Sequence, residues 1–140
     1  MLVTAPEGAN RVANEDPCIP YLHAGPLPIY IGFAPDEKSF LAEMERLGTK
    51  DIPPYTLSDA TTHHFRSEDG MTCIVCIKPR EGICKEQWIG LLVHEAAHVW
   101  QAIRGCMDEE NPSSEFEAYT LQYISQWLAG QAHFPEPETI

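Results

Sequence analysis

The 140-residue chain is organised around one stretch, Trp88-Ile-Gly-Leu-Leu-Val-His-Glu-Ala-Ala-His98-Val-Trp-Gln-Ala-Ile-Arg104. Its apolar residues recur at helical spacing and a glycine follows it, so the pattern predicts a helix from 86 to 104. At about 100° of rotation per residue, one side of this helix is apolar and the opposite side is polar. The apolar side carries Ile89, Leu92, Val93, Ala96, Val99, Trp100 and Ile103, and the polar side carries Gln87, His94, His98 and Gln101.

The middle of this helix is an HExxH motif, His94-Glu95-Ala-Ala-His98. Histidines four residues apart lie one above the other on a helix, so both imidazoles can reach a single ion. The intervening Glu95 can touch a water on that ion and remove its proton. The motif therefore predicts a hydrolytic zinc site, with His94 and His98 as metal ligands and Glu95 as the catalytic residue.

A catalytic zinc ion takes three protein ligands and one water, so the site needs a third donor. Glu115 and Glu117 begin the next predicted helix, which runs from 115 to about 128 with Ser114 as its N-cap. Glu115 lies opposite the apolar side of that helix, whereas Glu117 falls near the apolar side. Because the ligands of the first helix also oppose its apolar side, we prefer Glu115 as the third ligand and keep Glu117 as the alternative.

The rest of the chain predicts a small sheet and one more helix. A strand is expected over 29 to 33, and a helix over 36 to 47 with Asp36 as its N-cap. The β-prone runs 56 to 65 and 71 to 77 flank a turn, which predicts a hairpin.

Both ends of the chain show weaker patterns. The proline-rich residues 1 to 28 are expected to form an irregular N-terminal arm, and residues 129 to 140 a loose tail. The order of strand, helix, hairpin, helix and helix predicts an α+β fold in a single domain spanning 1 to 140. We expect the sheet to pack against the His-bearing helix and the Glu-bearing helix.

Composition excludes several functions. Apolar residues make up 44% of the chain and charged residues 21%, which is typical of a globular protein. Nine basic against 21 acidic residues give a net charge of −12, which disfavours nucleic acid and anionic lipid as partners. The longest aliphatic run is far short of the roughly 20 residues that span a bilayer, and no secretory signal is visible. We therefore expect a cytoplasmic protein whose five cysteines are reduced.

Several other residues have ordinary interpretations. Cys73 and Cys76, with Cys84 and Cys106, could form a second zinc site, but residues three apart on a strand face opposite ways, so we prefer core or half-buried thiols. Of the adjacent residues His63 and His64, we expect one to be an ordinary solvated histidine. The three tryptophans are expected to be packing residues, and the acidic stretch 108 to 110 a solvated loop.

The extended text resembles a known family. Val93-His-Glu-Ala-Ala-His-Val-Trp-Gln101, followed by Glu115-Phe-Glu-Ala-Tyr119, is similar to the gluzincin metallopeptidases, the group that includes thermolysin and the CaaX prenyl endopeptidases. Within that group it looks most like small metallopeptidase-like proteins encoded by phages and prophages. The resemblance covers roughly 71 to 128. It departs at Tyr119, where many gluzincins have an Asp or Asn that orients a ligand histidine; a tyrosine hydroxyl could take that role.

The resemblance implies a zincin-like fold, one Zn²⁺ per chain and hydrolysis of peptide bonds. It also implies that an extended peptide substrate lies along the strand 71 to 77 by strand addition. Stabilising the oxyanion needs a further donor, for which the candidates are Tyr119, Tyr123, His63, His64, Arg104 and His133.

A second class of function stays open. The same fold could serve a non-catalytic structural or interaction protein, for example a phage virion component that docks onto a larger assembly, with a structural or vestigial zinc site. An enzyme would leave one coordination position open beside Glu95, whereas a scaffold would close the metal with another side chain.

Overall fold

The computed structural model describes residues 2–4 and 16–135 and shows an α+β fold, as the sequence predicts. The strands are β1 (Leu2–Thr4), β2 (Tyr21–His23), β3 (Ile29–Ala34), β4 (Ala60–Ser67) and β5 (Gly70–Ile77). The helices are α1 (Glu37–Arg46), α2 (Lys85–Met107) and α3 (Ser114–Gln131). None of these helices combines the length and apolar character needed to cross a bilayer.

The strands form one mixed sheet in the order β1-β4-β5-β3-β2. The predicted hairpin is the antiparallel pair β4 and β5, and β3 runs parallel to β5 on its other side. Strand β5 is therefore hydrogen-bonded along both edges. The expectation that 71 to 77 receives a substrate strand is wrong, because strand addition needs a free edge.

The sheet carries a hydrophobic core on each face. On one face, β3 and β5 pack with α2 and α3, and this core includes Cys73, Trp88 and Trp100. On the other face, α1 covers the sheet, and the core includes Phe40 and Cys76. Cys73 and Cys76 thus point to opposite faces and are buried, as their spacing predicts.

The ends of several elements differ from the prediction. Strand β4 begins at Ala60 rather than 56. Helix α2 continues through Gly105 to Met107, and its C-cap is Asp108, whose φ of 54° is left-handed. The N-cap of α3 is Ser113, whose Oγ accepts from Phe116 N at 3.1 Å, so Ser114 is already helical. Either of two adjacent serines can serve as an N-cap, and the backbone conformation where the helix begins decides which of them does.

Neither end is as irregular as expected. Within 1 to 28, Leu2–Thr4 and Tyr21–His23 are strands, and residues 1 and 5–15 lie outside the described part. Three-residue strands are too short to show a period of two, and β2 exists because β3 offers it an edge. At the other end α3 runs to Gln131, and Phe134 contacts Trp88 with ring centroids 6.2 Å apart. The prediction of a loose tail is therefore wrong for residues 129 to 134. Residues 136–140 are outside the described part.

A glycine is required where the hairpin turns. Gly70 has a φ of 139°, and a Cβ there would lie 2.1 Å from the carbonyl oxygen of Pro28. That same carbonyl accepts a hydrogen bond from Met71 N at 2.9 Å, which starts the pairing of β3 with β5. The close approach of two backbones at this point leaves no room for a side chain.

A buried ion pair ties α1 to the segment before β2. The helix begins as predicted, with Asp36 accepting from Ser39 N at 2.7 Å, but Leu41 is exposed while Glu43 and Arg46 are buried. Arg46 Nε donates to Glu43 Oε1 at 2.5 Å and Arg46 Nη2 donates to Glu43 Oε2 at 2.7 Å. The Tyr21 hydroxyl also donates to Glu43, and Cys18 N donates to Glu43 Oε1 at 3.1 Å.

These contacts decide the charge state of Glu43. Burial raises the pKa of this carboxyl, but the hydrogen bonds from Arg46, Tyr21 and Cys18 together outweigh burial and hold the pKa below its usual range. The ionised form is therefore the form that the fold stabilises. Because its pKa is lowered in the folded chain, Glu43 stabilises the fold above pH 4.5, and this contribution is lost as the pH falls through the lowered value.

We predict that Glu43→Gln destabilises the protein by about 3 kcal/mol at neutral pH, because it removes the buried negative charge that Arg46 contacts with two nitrogens. The difference from wild type should shrink as the pH falls below 4.5, where Glu43 itself becomes protonated. Urea unfolding followed by circular dichroism between pH 7 and pH 3 measures it. Glu45→Gln, an exposed neighbour on the same helix, is the control. A pH-independent difference would contradict the role given to the charge.

Candidate metal centre

The position of α2 on the sheet decides where the motif points. Leu92, Val99 and Ile103 face the core as predicted, but Ile89 and Val93 are exposed. Glu95 takes their place among the buried residues of this helix. The side of α2 that packs on the sheet is therefore rotated about the helix axis from the predicted apolar side, so that it includes Glu95, which faces β4.

His94 and His98 lie together on the outward side of α2, as the spacing predicts. His94 is exposed and His98 is half-buried. Their Nε2 atoms are 3.2 Å apart, and the rings meet edge to face with centroids 4.8 Å apart. Two imidazole nitrogens bound to one tetrahedral zinc, each at about 2.05 Å, would be about 3.3 Å apart. The two donor atoms therefore have the separation that a shared zinc ion needs.

Gln101 sets the tautomer of one histidine. Its Oε1 lies 3.0 Å from His98 Nδ1, and because a carbonyl oxygen can only accept, Nδ1 must carry the proton. The neutral imidazole then presents the lone pair of Nε2 towards His94. Ligand histidines in metal sites are commonly oriented by such an acceptor on the second ring nitrogen. The sequence placed Gln101 on the polar side of the helix but assigned it no role.

Glu95 is turned inward, towards β4. Its side chain is 1% exposed, and the Thr62 hydroxyl donates to Glu95 Oε2 at 2.5 Å. A buried carboxylate is costly unless its oxygens are met by donors, and Thr62 meets one of them. Sequence reasoning missed Thr62. The available signal was the alternation along β4, which places Thr62 and His64 on the face covered by α2.

The two candidate third ligands lie on α3, which packs on another side of α2. Trp100 faces α3, with its ring centroid 5.9 Å from that of Phe116, and it lies about 160° round α2 from His98. Glu115 is exposed and Glu117 is half-buried on the packed side of α3. Within residues 16–135, no third His, Cys, Asp or Glu side chain forms a metal-holding group with the histidine pair.

The six candidate oxyanion donors are scattered over the molecule. His63 lies on the opposite face of the sheet, where it stacks on Phe40 at 4.9 Å and donates from Nε2 to Tyr55 O at 2.9 Å. His64 is buried against Met71. The expectation of a solvated histidine in this pair is therefore wrong. Arg104, Tyr119, Tyr123 and His133 are exposed.

The cysteines do not add a second metal group within the described residues. Cys73 and Cys76 are separated by the thickness of the sheet, and Cys18, Cys84 and Cys106 are exposed. Burial raises the pKa of the Cys73 thiol to about 12 and also raises that of Cys76. Both buried thiols are therefore held in the protonated form, which is a poor metal ligand.

Comparison with known proteins gives no relative: no family model, no curated protein and no solved structure matches the chain. The function must therefore be argued from the geometry of the site.

We predict that Gln101→Ala weakens zinc binding by about 10- to 100-fold, because His98 loses the acceptor that selects its tautomer. Gln101→Glu should restore the affinity, since a carboxylate oxygen accepts the same proton. Competition with a fluorescent zinc chelator measures both, with Gln122→Ala on α3 as the control. Unchanged affinity in Gln101→Ala would show that the 3.0 Å contact does not orient the ligand.

Proposed function

We propose that the protein is a zinc-dependent metallopeptidase with a zincin-like fold, holding one Zn²⁺ per chain between His94 and His98. The observation that carries the proposal is the 3.2 Å separation of the two Nε2 atoms on the outward side of α2. The acceptor contact of Gln101 supports it, because it leaves the His98 Nε2 lone pair available to a metal.

Zinc, when bound there, would supply a Lewis acid that activates a water and polarises the peptide carbonyl. Glu95 is the general base: its carboxylate takes the proton of the attacking water and returns it to the leaving amine. The Thr62 hydroxyl holds one oxygen of Glu95 and thereby fixes the direction of the other. Because Glu95 is 1% exposed and turned towards β4, its side chain would have to swing outward to reach a water held by the histidine pair.

Glu115 is the third ligand in this proposal, on the strength of the motif spacing, with Glu117 as the alternative. Reaching the histidine pair would require the first turn of α3 to move relative to α2, because α3 packs against the side of α2 that bears Trp100. Glu115 lies in the first turn of α3, close to the largely exposed loop before Ser113, so a shift of this end is less costly than a shift of the buried end.

Glu95→Gln should abolish peptide hydrolysis while one zinc per chain is retained, because Glu95 is a base and not a ligand. His94→Ala should lose both zinc and activity. Elemental analysis of the purified proteins and cleavage of a quenched fluorescent peptide library measure the two properties, with Glu86→Gln at the exposed start of α2 as the control. Loss of zinc from Glu95→Gln would overturn the assigned role, and absence of zinc from the wild type after supplementation would overturn the proposal.

The choice of third ligand has its own test. We predict that Glu115→Gln weakens zinc binding at least about tenfold more than Glu117→Gln, since the removed carboxylate leaves two protein ligands instead of three. Titration with zinc in the presence of a competing chelator gives both constants. The reverse order would make Glu117 the ligand. Zinc affinity equal to that of the wild type in both variants would exclude both residues.

A non-catalytic interaction protein is the second candidate function, and one observation favours it. In the described residues α3 packs away from the histidine pair, and no third donor of the usual types stands with them. A two-histidine site binds zinc weakly and would fit a vestigial site. Zinc bound with micromolar or weaker affinity, together with no cleavage of any library peptide, would favour this candidate over the enzyme.

A further inference from the structure

A second site lies on the other side of α2. A groove of about 510 Å³ runs between the C-terminal half of α2, the first half of α3 and the turn that joins β2 to β3. Its walls include Ile103 and Met107 from α2, Phe116, Tyr119, Tyr123 and Ile124 from α3, and Leu27 from the turn. Cavities of this volume are typical of sites that bind small molecules or the anchoring side chains of a peptide.

The surface of the groove is mostly apolar. None of its lining residues is charged, and the Thr120 hydroxyl is already engaged in a hydrogen bond to Phe116 O at 2.7 Å. Apart from the hydroxyls of Tyr119 and Tyr123, the lining side chains offer few partners to a polar group that would lose its water on entering. The part of a ligand that fills the groove must therefore be apolar.

Three aromatic side chains of α3 are displayed to solvent along this groove. Phe116 is 46% exposed, Tyr119 66% and Tyr123 52%, and their spacing of three and four residues puts them on one side of α3. The structure leaves all three of these rings uncovered. An apolar surface of this kind on a folded protein commonly marks an interaction site.

The surroundings of the groove are acidic. Asp108 directly follows Met107, Glu115 directly precedes Phe116, and Glu109 and Glu110 lie between them; all four acids are exposed. Asp108, Glu109 and Glu110 line a depression that they share with one basic residue, Arg104, and the whole chain has a net charge of −12. A ligand that combines apolar anchors with positive charge would be complementary to this surface. A second copy of the chain, a nucleic acid or an anionic membrane would be repelled.

We propose that this groove binds a short basic amphipathic helix of a partner polypeptide, with its apolar face against Phe116, Tyr119 and Tyr123 and its Lys or Arg residues beside the acids at 108 to 115. From Phe116 to Tyr123 the groove wall is about 10 Å long, which matches two turns of a helix and two or three anchoring side chains. The site is separate from the histidine pair, since Ile103 lies about 140–180° round α2 from His98 and His94. Neither histidine lines the groove, so its binding is tested on the metal-free chain, in which α3 packs against α2 as described.

The probe is a fluorescein-labelled peptide of about 14 residues, with leucines at helical i, i+3, i+4 and i+7 spacing and lysines elsewhere. Fluorescence anisotropy should show saturable one-to-one binding to the full chain, weakened by raising the salt from about 50 mM to about 500 mM. The same peptide with glutamates for lysines, and a scrambled peptide of equal composition, should bind at least about tenfold more weakly.

The variants locate the peptide. The double substitution Tyr119→Ala and Tyr123→Ala should weaken binding at least about tenfold without unfolding the chain, because both side chains are largely exposed. Leu41→Ala, at a 43% exposed apolar residue on α1, is the control and should bind as wild type does. His94→Ala should also bind as wild type does, which separates this result from any failure of the zinc proposal.

Three outcomes would overturn the proposal. Equal binding of the lysine and scrambled peptides would reduce the interaction to non-specific charge attraction. Wild-type affinity in the double tyrosine variant would place the peptide elsewhere. A dimer in sedimentation velocity that the double variant abolishes would make a second copy of the chain the occupant instead.

Discussion

The rotation of α2 about its own axis is the constraint on which the rest of the site depends. Glu95 is buried against β4 through the Thr62 hydroxyl, and this contact fixes which residues of α2 face inward. A helix turned by one residue would rotate every side chain by about 100°. Such a rotation would bury one of the histidines or remove Trp100 from its contact with Phe116. The outward histidine pair and the packing of α3 are thus two consequences of one inward carboxylate.

Local patterns predicted the local features of this fold. The outward pair of histidines follows from a four-residue spacing, and the start of α1 after Asp36 follows from a side chain that caps its own helix. Both depend on residues that are close in sequence. The α+β class also follows from the order of the elements, because the spacing of apolar residues distinguishes the hairpin from the helices.

Tertiary contacts account for what the sequence did not predict. Glu43 and Arg46 look like solvent-facing residues of an amphipathic helix, yet they are buried because Tyr21 and Cys18, more than 20 residues away, supply further hydrogen bonds. The side of α2 that receives α3 could not be predicted either, since it depends on how the loop between them turns. A helical wheel describes one helix at a time, so it could not predict where Glu115 lies relative to His98.

The two buried cysteines divide the sheet in a way that has a use of its own. Cys73 belongs to the core under α2 and α3, Cys76 to the core under α1, and both thiols are kept protonated by burial. A thiol reagent reacts with the thiolate and needs access to it, so neither cysteine can be alkylated until its own side of the sheet opens. Each core therefore contains one cysteine whose alkylation rate reports how often that core opens. Comparing the two rates would show whether the two cores open together or one before the other.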